Sequence, residues 1–358
     1  MSGFRAFLKR KNIEISLRRY GIDALGAMAQ GLFCSLLIGT ILNTLGSQTG
    51  VAIFSTVGGY ATAVSGPAMA VAIGYALKCP PLVLFSMVPV GWAANALGGS
   101  AGGPLAVFVI AIVAAEVGKM VSKETPVDVL VTPLVTIFAG VALAALIAPP
   151  IGVGANYVGA LIKRATVLQP FWMGIIVSAS VGIALTLPIS SAAICHSFNL
   201  VGLAGGAAVA GCCANMVGFA VMSFRENRWG GLVSQGLGTS MLQMGNIVKN
   251  PRIWLPAILT SMITGPIATC VFKLEMNGAA INSGMGTCGL CGPIGVWTGW
   301  VNPSDVALAD GAAVIAPGAM DWLGLALVCF VLPAVICWAL GLFFRRIGWI
   351  REGDLKLD

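Results

Sequence analysis

Apolar runs of membrane-crossing length recur along the whole chain, and they constrain its fold more than any other feature. A helix that crosses the hydrocarbon core needs about 20 mostly apolar residues. The runs do not alternate between polar and apolar residues, which excludes a membrane β-barrel. The sequence therefore predicts an all-α integral membrane protein. Eight runs are clear: 24–45, 51–77, 82–97, 105–121, 129–148, 171–187, 253–272 and 322–344.

A further apolar run, 191–224, is too long for a single crossing. Gly202, Gly205 and Gly206 lie near its middle, where they would allow a turn. Counting this run as two short crossings gives about ten transmembrane helices. Only 9% of the 358 residues are charged, against about 25% in soluble domains, so a water-soluble fold is excluded.

Basic residues collect where the chain would return to the cytoplasmic side. The segment 1–23 is predicted to be basic and amphipathic, with a helix across Phe4–Ile22 on the anionic inner leaflet. Because Arg345, Arg346 and Arg351 follow the last run, both termini are expected in the cytoplasm. The net charge of +7 is thus a topology signal and not a nucleic-acid patch. Six of the 20 basic residues precede the first run: Arg5, Lys9, Arg10, Lys11, Arg18 and Arg19.

Lys163 and Arg164 do not fit this charge pattern, because ten crossings would place them outside. Either the stretch 153–168 is an interfacial helix, or the number of crossings in the middle of the chain differs from this count. The orientation of residues 149–170 therefore stays open.

Two stretches resist assignment to simple crossings and are predicted to be re-entrant hairpins. Residues 229–248 have basic residues at both ends, and residues 278–300 are glycine-rich and lie between two regions expected outside. The motifs GLGTSML (236–242) and GMGTCGL (284–290) agree at four of seven positions. Paired broken segments point to a substrate site near the bilayer midplane. The alternative is that glycine only allows close helix packing.

Polar side chains inside membrane segments usually face a cavity and contact a ligand. His196 is the only histidine, and Asn199, three residues later, would share its helix face. The alternative role for both is a hydrogen bond between helices. Neutral amides and hydroxyls suit a polyhydroxyl ligand. The predicted solute-binding residues are His196, Asn199, Gln235, Thr239, Gln243, Asn246, Glu275, Asn282 and Thr287.

Other chemistry has little support in the sequence. Glu116 lies three residues before Lys119, which favours an ion pair over a proton relay. Cys288 and Cys291 form a CGLC element that resembles a redox dithiol, without a surrounding thioredoxin-like pattern. A single histidine supplies a zinc site poorly. We expect no metal, no cofactor and no catalytic residue in this chain.

The C-terminal half resembles the membrane subunit IIC of sugar phosphotransferase systems, specifically its PfoR-like branch. The resemblance is carried by SSAAICHSFNLVG (190–202), GLGTSMLQMGNIVKNPRIWLPAILTSMITGPIAT (236–269) and NSGMGTCGLCGPIG (282–295). It implies ten crossings, two re-entrant hairpins, a homodimer formed largely through the N-terminal half (24–168), and a sugar site in the C-terminal half (169–358). Soluble phosphotransferase components would act in trans.

The resemblance also implies which residues contact the sugar. In sugar-translocating relatives a membrane histidine and a hairpin glutamate contact the sugar hydroxyls, and His196 matches that histidine. The glutamate has no match, because Cys291-Gly-Pro293 stands where those relatives have Asn-Glu-Pro.

We therefore expect a permease of the bacterial inner membrane that moves a small polar solute, a sugar, by alternating access. The first alternative is a PfoR-like membrane sensor that binds a small molecule without transporting it. A membrane thiol oxidoreductase is the more distant alternative.

Overall fold

The structure is a computed structural model that describes residues 2–357, with side chains for residues 6–357. Met1 and Asp358, the outer ends of the predicted segments 1–23 and 169–358, lie outside the described residues. The helices in chain order are α1 (Ser2–Arg10), α2 (Arg19–Thr49), α3 (Ala52–Ala63), α4 (Ser65–Ala76), α5 (Pro81–Leu97), α6 (Gly99–Val121), α7 (Asp128–Ala165), α8 (Pro170–Thr186), α9 (Ser191–Ser197), α10 (Gly202–Met222), α11 (Phe224–Val233), α12 (Met244–Lys249), α13 (Pro251–Val271), α14 (Cys291–Val301), α15 (Asp305–Ala309) and α16 (Ala319–Arg346).

These elements confirm an all-α membrane fold. Within residues 2–357 the extended backbone pairs only once, in an isolated antiparallel bridge between Gly202 and Met276. Six of the described helices are long and apolar enough to cross a bilayer, or seven if α3 and α4, bent by 51°, form one broken span. Two more apolar helices, α5 and α8, are shorter. By length and composition, the number of spans is therefore lower than the ten expected.

The predicted division of 191–224 into two short crossings is wrong. The chain forms the seven-residue α9, turns at residues 198–201, and then runs as the single helix α10. A seven-residue helix is only about 10 Å long and cannot cross the hydrocarbon core. Gly205 and Gly206 lie inside α10, where they allow other backbone to approach: Gly205 lies beside the carbonyl of Leu200 and Gly206 beside that of Leu274.

The predicted helix across Phe4–Ile22 is also wrong as a single element. The helix α1 ends at Arg10, and Asn12 takes a left-handed φ of 54° that stops a right-handed helix. The chain becomes helical again before α2 begins at Arg19. The basic residues of this segment consequently lie on two helices and the turn between them.

Residues Met1–Ala155 form one compact unit, the N-terminal unit. Its helices pack through small residues, as where Gly66 of α4 and Gly91 of α5 face each other so closely that a Cβ on either would strike the other's backbone. The long helix α7 begins in this unit, and its 38 residues give a length of about 57 Å.

Residues Asn156–Asp358 form the second compact unit, the C-terminal unit. Its central element is α10, since 89% of that helix's apolar window is buried. The helices α8, α13 and α16 pack around it. Gly211 of α10 lies against the backbone of Ser178, and Gly174 of α8 against that of Gly265. The two stretches predicted to be hairpins, 229–248 and 278–300, lie in the same unit, and we call them the first and second glycine-rich segments.

Candidate functional site

The first glycine-rich segment, 229–248, is a broken helix. The helix α11 ends at Val233, a π turn covers Ser234–Gly238, and Thr239 is extended. A 3-10 turn then leads into α12. The side chain of Thr239 accepts a hydrogen bond from the backbone N–H of Met241 at 3.1 Å and so caps that turn. The break falls at the GLGTSML motif.

Three predicted solute-binding amides meet at this break and bind one another. The Nε2 of Gln243 donates to Oε1 of Gln235 at 2.8 Å, and Nδ2 of Asn246 donates to Oε1 of Gln243 at 2.9 Å. Gln235 also donates to the Ser223 hydroxyl at 2.8 Å. Gln235, Gln243 and Asn246 are all buried, and we call them the amide cluster.

The amide cluster holds the C-terminal tail, residues 350–357. Gln243 donates to the carbonyl of Leu355 at 2.9 Å, and Asn246 to that of Lys356 at 2.8 Å. Asn227 binds the tail twice, donating to Leu355 O at 2.7 Å and accepting from Leu357 N at 2.8 Å. The side chain of Leu355 is fully buried. The chain's own tail therefore uses hydrogen-bonding capacity that the sequence assigned to a solute.

The second glycine-rich segment, 278–300, consists of tight turns followed by α14. Two 3-10 turns, Ala280–Gly284 and Cys288–Leu290, precede that helix. The hydroxyl of Thr287 donates to the carbonyl of Gly236 at 2.5 Å. Since Gly236 opens the first repeated motif and Thr287 lies within the second, the two motifs are in direct contact.

His196 lies near the end of α9 and is exposed, in the same short element as the buried Cys195. Asn199 follows the helix with a left-handed φ of 49°, so the predicted shared helix face is wrong. The helix is fixed by Ser191, whose hydroxyl donates to Gly284 O at 2.7 Å. In the turn after the helix, the Leu200 carbonyl accepts a hydrogen bond from the Ser283 hydroxyl at 2.6 Å. These bonds attach α9 to the turn that carries Asn282.

Glu275 reaches the same region through the bridge between Gly202 and Met276, whose two backbone hydrogen bonds are both 3.0 Å. Its carboxylate is exposed and accepts a 2.9 Å bond from Asn277 Nδ2. We call His196, Asn199, Glu275 and Asn282 the His196 group. These four residues lie on neighbouring turns and combine an imidazole, a carboxylate and two amides, groups able to bond hydroxyls.

A second buried polar cluster includes two residues that the sequence did not single out, Thr186 and Trp254. The hydroxyls of Thr186 and Ser240 lie 2.8 Å apart, and Trp254 Nε1 donates to Asn215 Oδ1 at 3.1 Å. Thr186 ends α8, and Trp254 lies in the first turn of α13. Neither residue has a spacing signal in the sequence, because the contacts join segments far apart in the chain.

The cysteines of the CGLC element lie in the core of the C-terminal unit. Cys288 is 1% exposed and Cys291 is fully buried. Thiol–disulfide exchange requires an attacking thiolate to reach the sulfur, and this burial prevents it. The structure therefore argues against the thiol oxidoreductase alternative.

The ion pair predicted at Glu116 is confirmed: Lys119 Nζ lies 2.8 Å from Glu116 Oε2. Both residues belong to α6 of the N-terminal unit. This carboxylate thus has a structural partner.

A family model described as "Phosphotransferase system, EIIC" matches residues 22–357. No curated protein and no solved structure gives a significant match. The matched region includes both glycine-rich segments, the His196 group and the amide cluster. The chain therefore belongs to the EIIC family of the phosphotransferase system.

Proposed function

We propose that this protein is a permease that binds a sugar in its C-terminal unit and translocates it by alternating access. Membership of the EIIC family makes it a multi-pass membrane component of a sugar phosphotransferase transporter. We further propose that the protein belongs to the PfoR-like branch and lies in the bacterial inner membrane with both termini in the cytoplasm. We also propose that it forms a homodimer and works with soluble phosphotransferase partners in trans.

The observation that carries the proposal is the His196 group. His196, Asn199, Glu275 and Asn282 stand on short turns, and those turns are fixed to one another by the Ser191, Ser283 and Met276 hydrogen bonds. A sugar hydroxyl can both donate to a carboxylate and accept from an amide N–H, so a mixed set of this kind discriminates sugars from apolar analogues. Thr239 and Thr287 lie at the break where the two segments meet, where their hydroxyls already bond the Met241 N–H and the Gly236 carbonyl.

A membrane sensor without transport is the second candidate, and the amide cluster favours it. Gln243 and Asn246 bond the tail backbone, so any solute that competes for them would release residues 354–357. A released tail is a signal that a soluble partner can read. Cys291-Gly-Pro293 in place of Asn-Glu-Pro also separates this chain from sugar-translocating relatives.

Sugar uptake into proteoliposomes tests the permease. Purified protein is reconstituted, and a panel of radiolabelled sugars and organic acids is screened first by thermal shift and then by uptake. We expect saturable uptake of one solute and its loss, by about tenfold or more, in His196→Ala, because a missing hydrogen-bond partner in a polar site costs roughly 1–3 kcal/mol.

Ser197→Ala is the matched control, since Ser197 is the exposed neighbour of His196 on the same short helix. It should transport as the wild type does. Saturable binding without flux would assign the protein to the sensor class. Undiminished uptake in His196→Ala would remove His196 from the solute site.

A further inference from the structure

The N-terminal unit contains a basic cavity of about 340 Å³ that the permease function does not use. Its volume falls in the range typical of small-ligand sites. The end of α1, the turn between α4 and α5, the end of α6 and the loop after it form its wall. The charged residues that line it are Arg10, Lys11, Lys78, Lys119, Lys123 and Glu124.

Three of the five cations already have partners. Lys119 pairs with Glu116 and donates to the carbonyls of Asn12 and Leu77 at 3.0 and 3.2 Å. Arg10 lies 2.7 Å from Glu124 Oε1, and Lys11 contacts the same oxygen. The Glu124 carboxylate is thus the counter-ion of both Arg10 and Lys11.

Lys78 and Lys123 form no ion pair with a described residue, and the carboxylate of Asp128 accepts a hydrogen bond from the Lys123 backbone N–H at 2.7 Å. Both are exposed, and neither ammonium has an ion pair or hydrogen bond in the described part of the chain. Each takes a left-handed φ, 56° at Lys78 and 61° at Lys123, directly after the residues that close a helix. The backbone therefore places both lysines where the chain turns beside the cavity.

An unsatisfied hydroxyl completes the lining. The side chain of Ser122 is buried, and its Oγ has no hydrogen-bond partner in residues 6–357. Buried hydroxyls nearly always have a partner, so the Ser122 hydroxyl is an unused donor beside the cavity. Two free ammonium groups and a hydroxyl donor suit phosphate oxygens.

An apolar surface begins where the cavity ends. Val127, Leu130, Leu134 and Phe138 follow Glu124 at helical spacing and are 57%, 73%, 71% and 76% exposed. This stripe runs along α7, beginning just before its first turn. We infer that the cavity binds the phosphate of an anionic phospholipid, with an acyl chain lying along this stripe. The charge pattern of the sequence places the cavity at the cytoplasmic face, where anionic lipids concentrate.

Lipid titration of the delipidated full-length protein tests the inference. Native mass spectrometry would follow binding of phosphatidylglycerol, phosphatidylcholine and inorganic phosphate. We expect phosphatidylglycerol to bind most tightly and to lose roughly tenfold or more in affinity in Lys78→Ala/Lys123→Ala. Ser122→Ala should weaken it without any change in charge. Glu124→Gln should strengthen it, because Arg10 and Lys11 become available to the phosphate.

Arg164→Ala/Arg346→Ala is the matched control, since it also removes two exposed positive charges and should bind phosphatidylglycerol as the wild type does. Equal losses in the two double variants, or equal binding of the two lipids, would overturn the site. Inorganic phosphate binding as tightly as phosphatidylglycerol would overturn the lipid assignment. If another variant unfolds, the tighter phosphatidylglycerol binding expected of Glu124→Gln still tests the site.

Discussion

At the scale of single residues, Lys119 combines complete burial with a full set of partners. Its side chain is 1% exposed and that of Glu116 is 12% exposed, and Tyr20 donates to the other Glu116 oxygen at 3.1 Å. Removing one partner of a buried ion pair leaves an uncompensated charge, which costs about 3–5 kcal/mol. We expect Lys119→Met to lower the thermal unfolding temperature of the detergent-purified protein strongly. Glu116→Gln/Lys119→Met should recover much of the loss, and a double variant as unstable as the single one would contradict this account.

Glu124 makes a separate prediction about pH. Its hydrogen bond to Lys11, followed by the charge of Arg10, lowers the pKa of the Glu124 carboxyl below its usual value of about 4.3. The folded protein then binds fewer protons than the unfolded chain, so this contribution is complete above that usual value and disappears as pH falls through the folded-state pKa. The unfolding temperature of the wild type should exceed that of Glu124→Gln near neutral pH and converge with it in acid. In about 1 M salt the difference at neutral pH should shrink, because exposed ion pairs are screened.

At the scale of elements, the C-terminal tail stabilises the first glycine-rich segment. Deleting residues 353–358 would leave the amide nitrogens of Asn227, Gln243 and Asn246 without the tail carbonyls, at about 1–3 kcal/mol for each buried unsatisfied group. We expect faster amide hydrogen exchange across 235–249 in the truncated protein. Exchange in α5 should be unchanged. Exchange across 235–249 at the wild-type rate would show that the tail does not stabilise this segment.

A second prediction at this scale concerns the hydrogen bond that joins the two repeated motifs. Thr287→Val removes the hydroxyl that donates to Gly236 and keeps the side-chain shape. We expect the unfolding free energy to fall by about 0.5–1.5 kcal/mol. Thr287→Ser keeps the hydroxyl and is the control, which should stay closer to the wild type. Equal losses in the two variants would assign the effect to packing.

Local sequence signals predicted several helices closely and missed the contacts between them. The expected runs 82–97, 171–187 and 253–272 became Pro81–Leu97, Pro170–Thr186 and Pro251–Val271, since hydropathy and an initial proline define a helix without its neighbours. The repeated motifs overlap the turns at which both segments break. The turn at 198–201 and the partners of Gln243 depend on residues far away in the chain, which no periodicity records. For the same reason, the sequence did not predict that Asn199 lies outside the helix that carries His196.

At the scale of the whole molecule, the proposed homodimer has a candidate surface in the N-terminal unit. Ile53, Val57 and Tyr60 lie on one face of α3 and are 60%, 45% and 74% exposed. We expect Tyr60→Cys to form a cross-linked dimer on oxidation of native membranes, in a background where the exposed Cys34 and Cys270 are serine. Leu134→Cys, equally exposed on α7, is the control and should stay monomeric. Cross-linking of both variants, or of neither, would contradict a dimer through this face.

The tail also affects how the protein is made. Residues 354–357 hydrogen-bond side chains that lie more than a hundred positions earlier in the chain, at Asn227, Gln243 and Asn250. These amides lack their partners until residues 354–357 have themselves been synthesised. The first glycine-rich segment can therefore reach its final form only after those residues leave the ribosome, and a nascent chain that stops before residue 354 should carry the segment in an unfinished state.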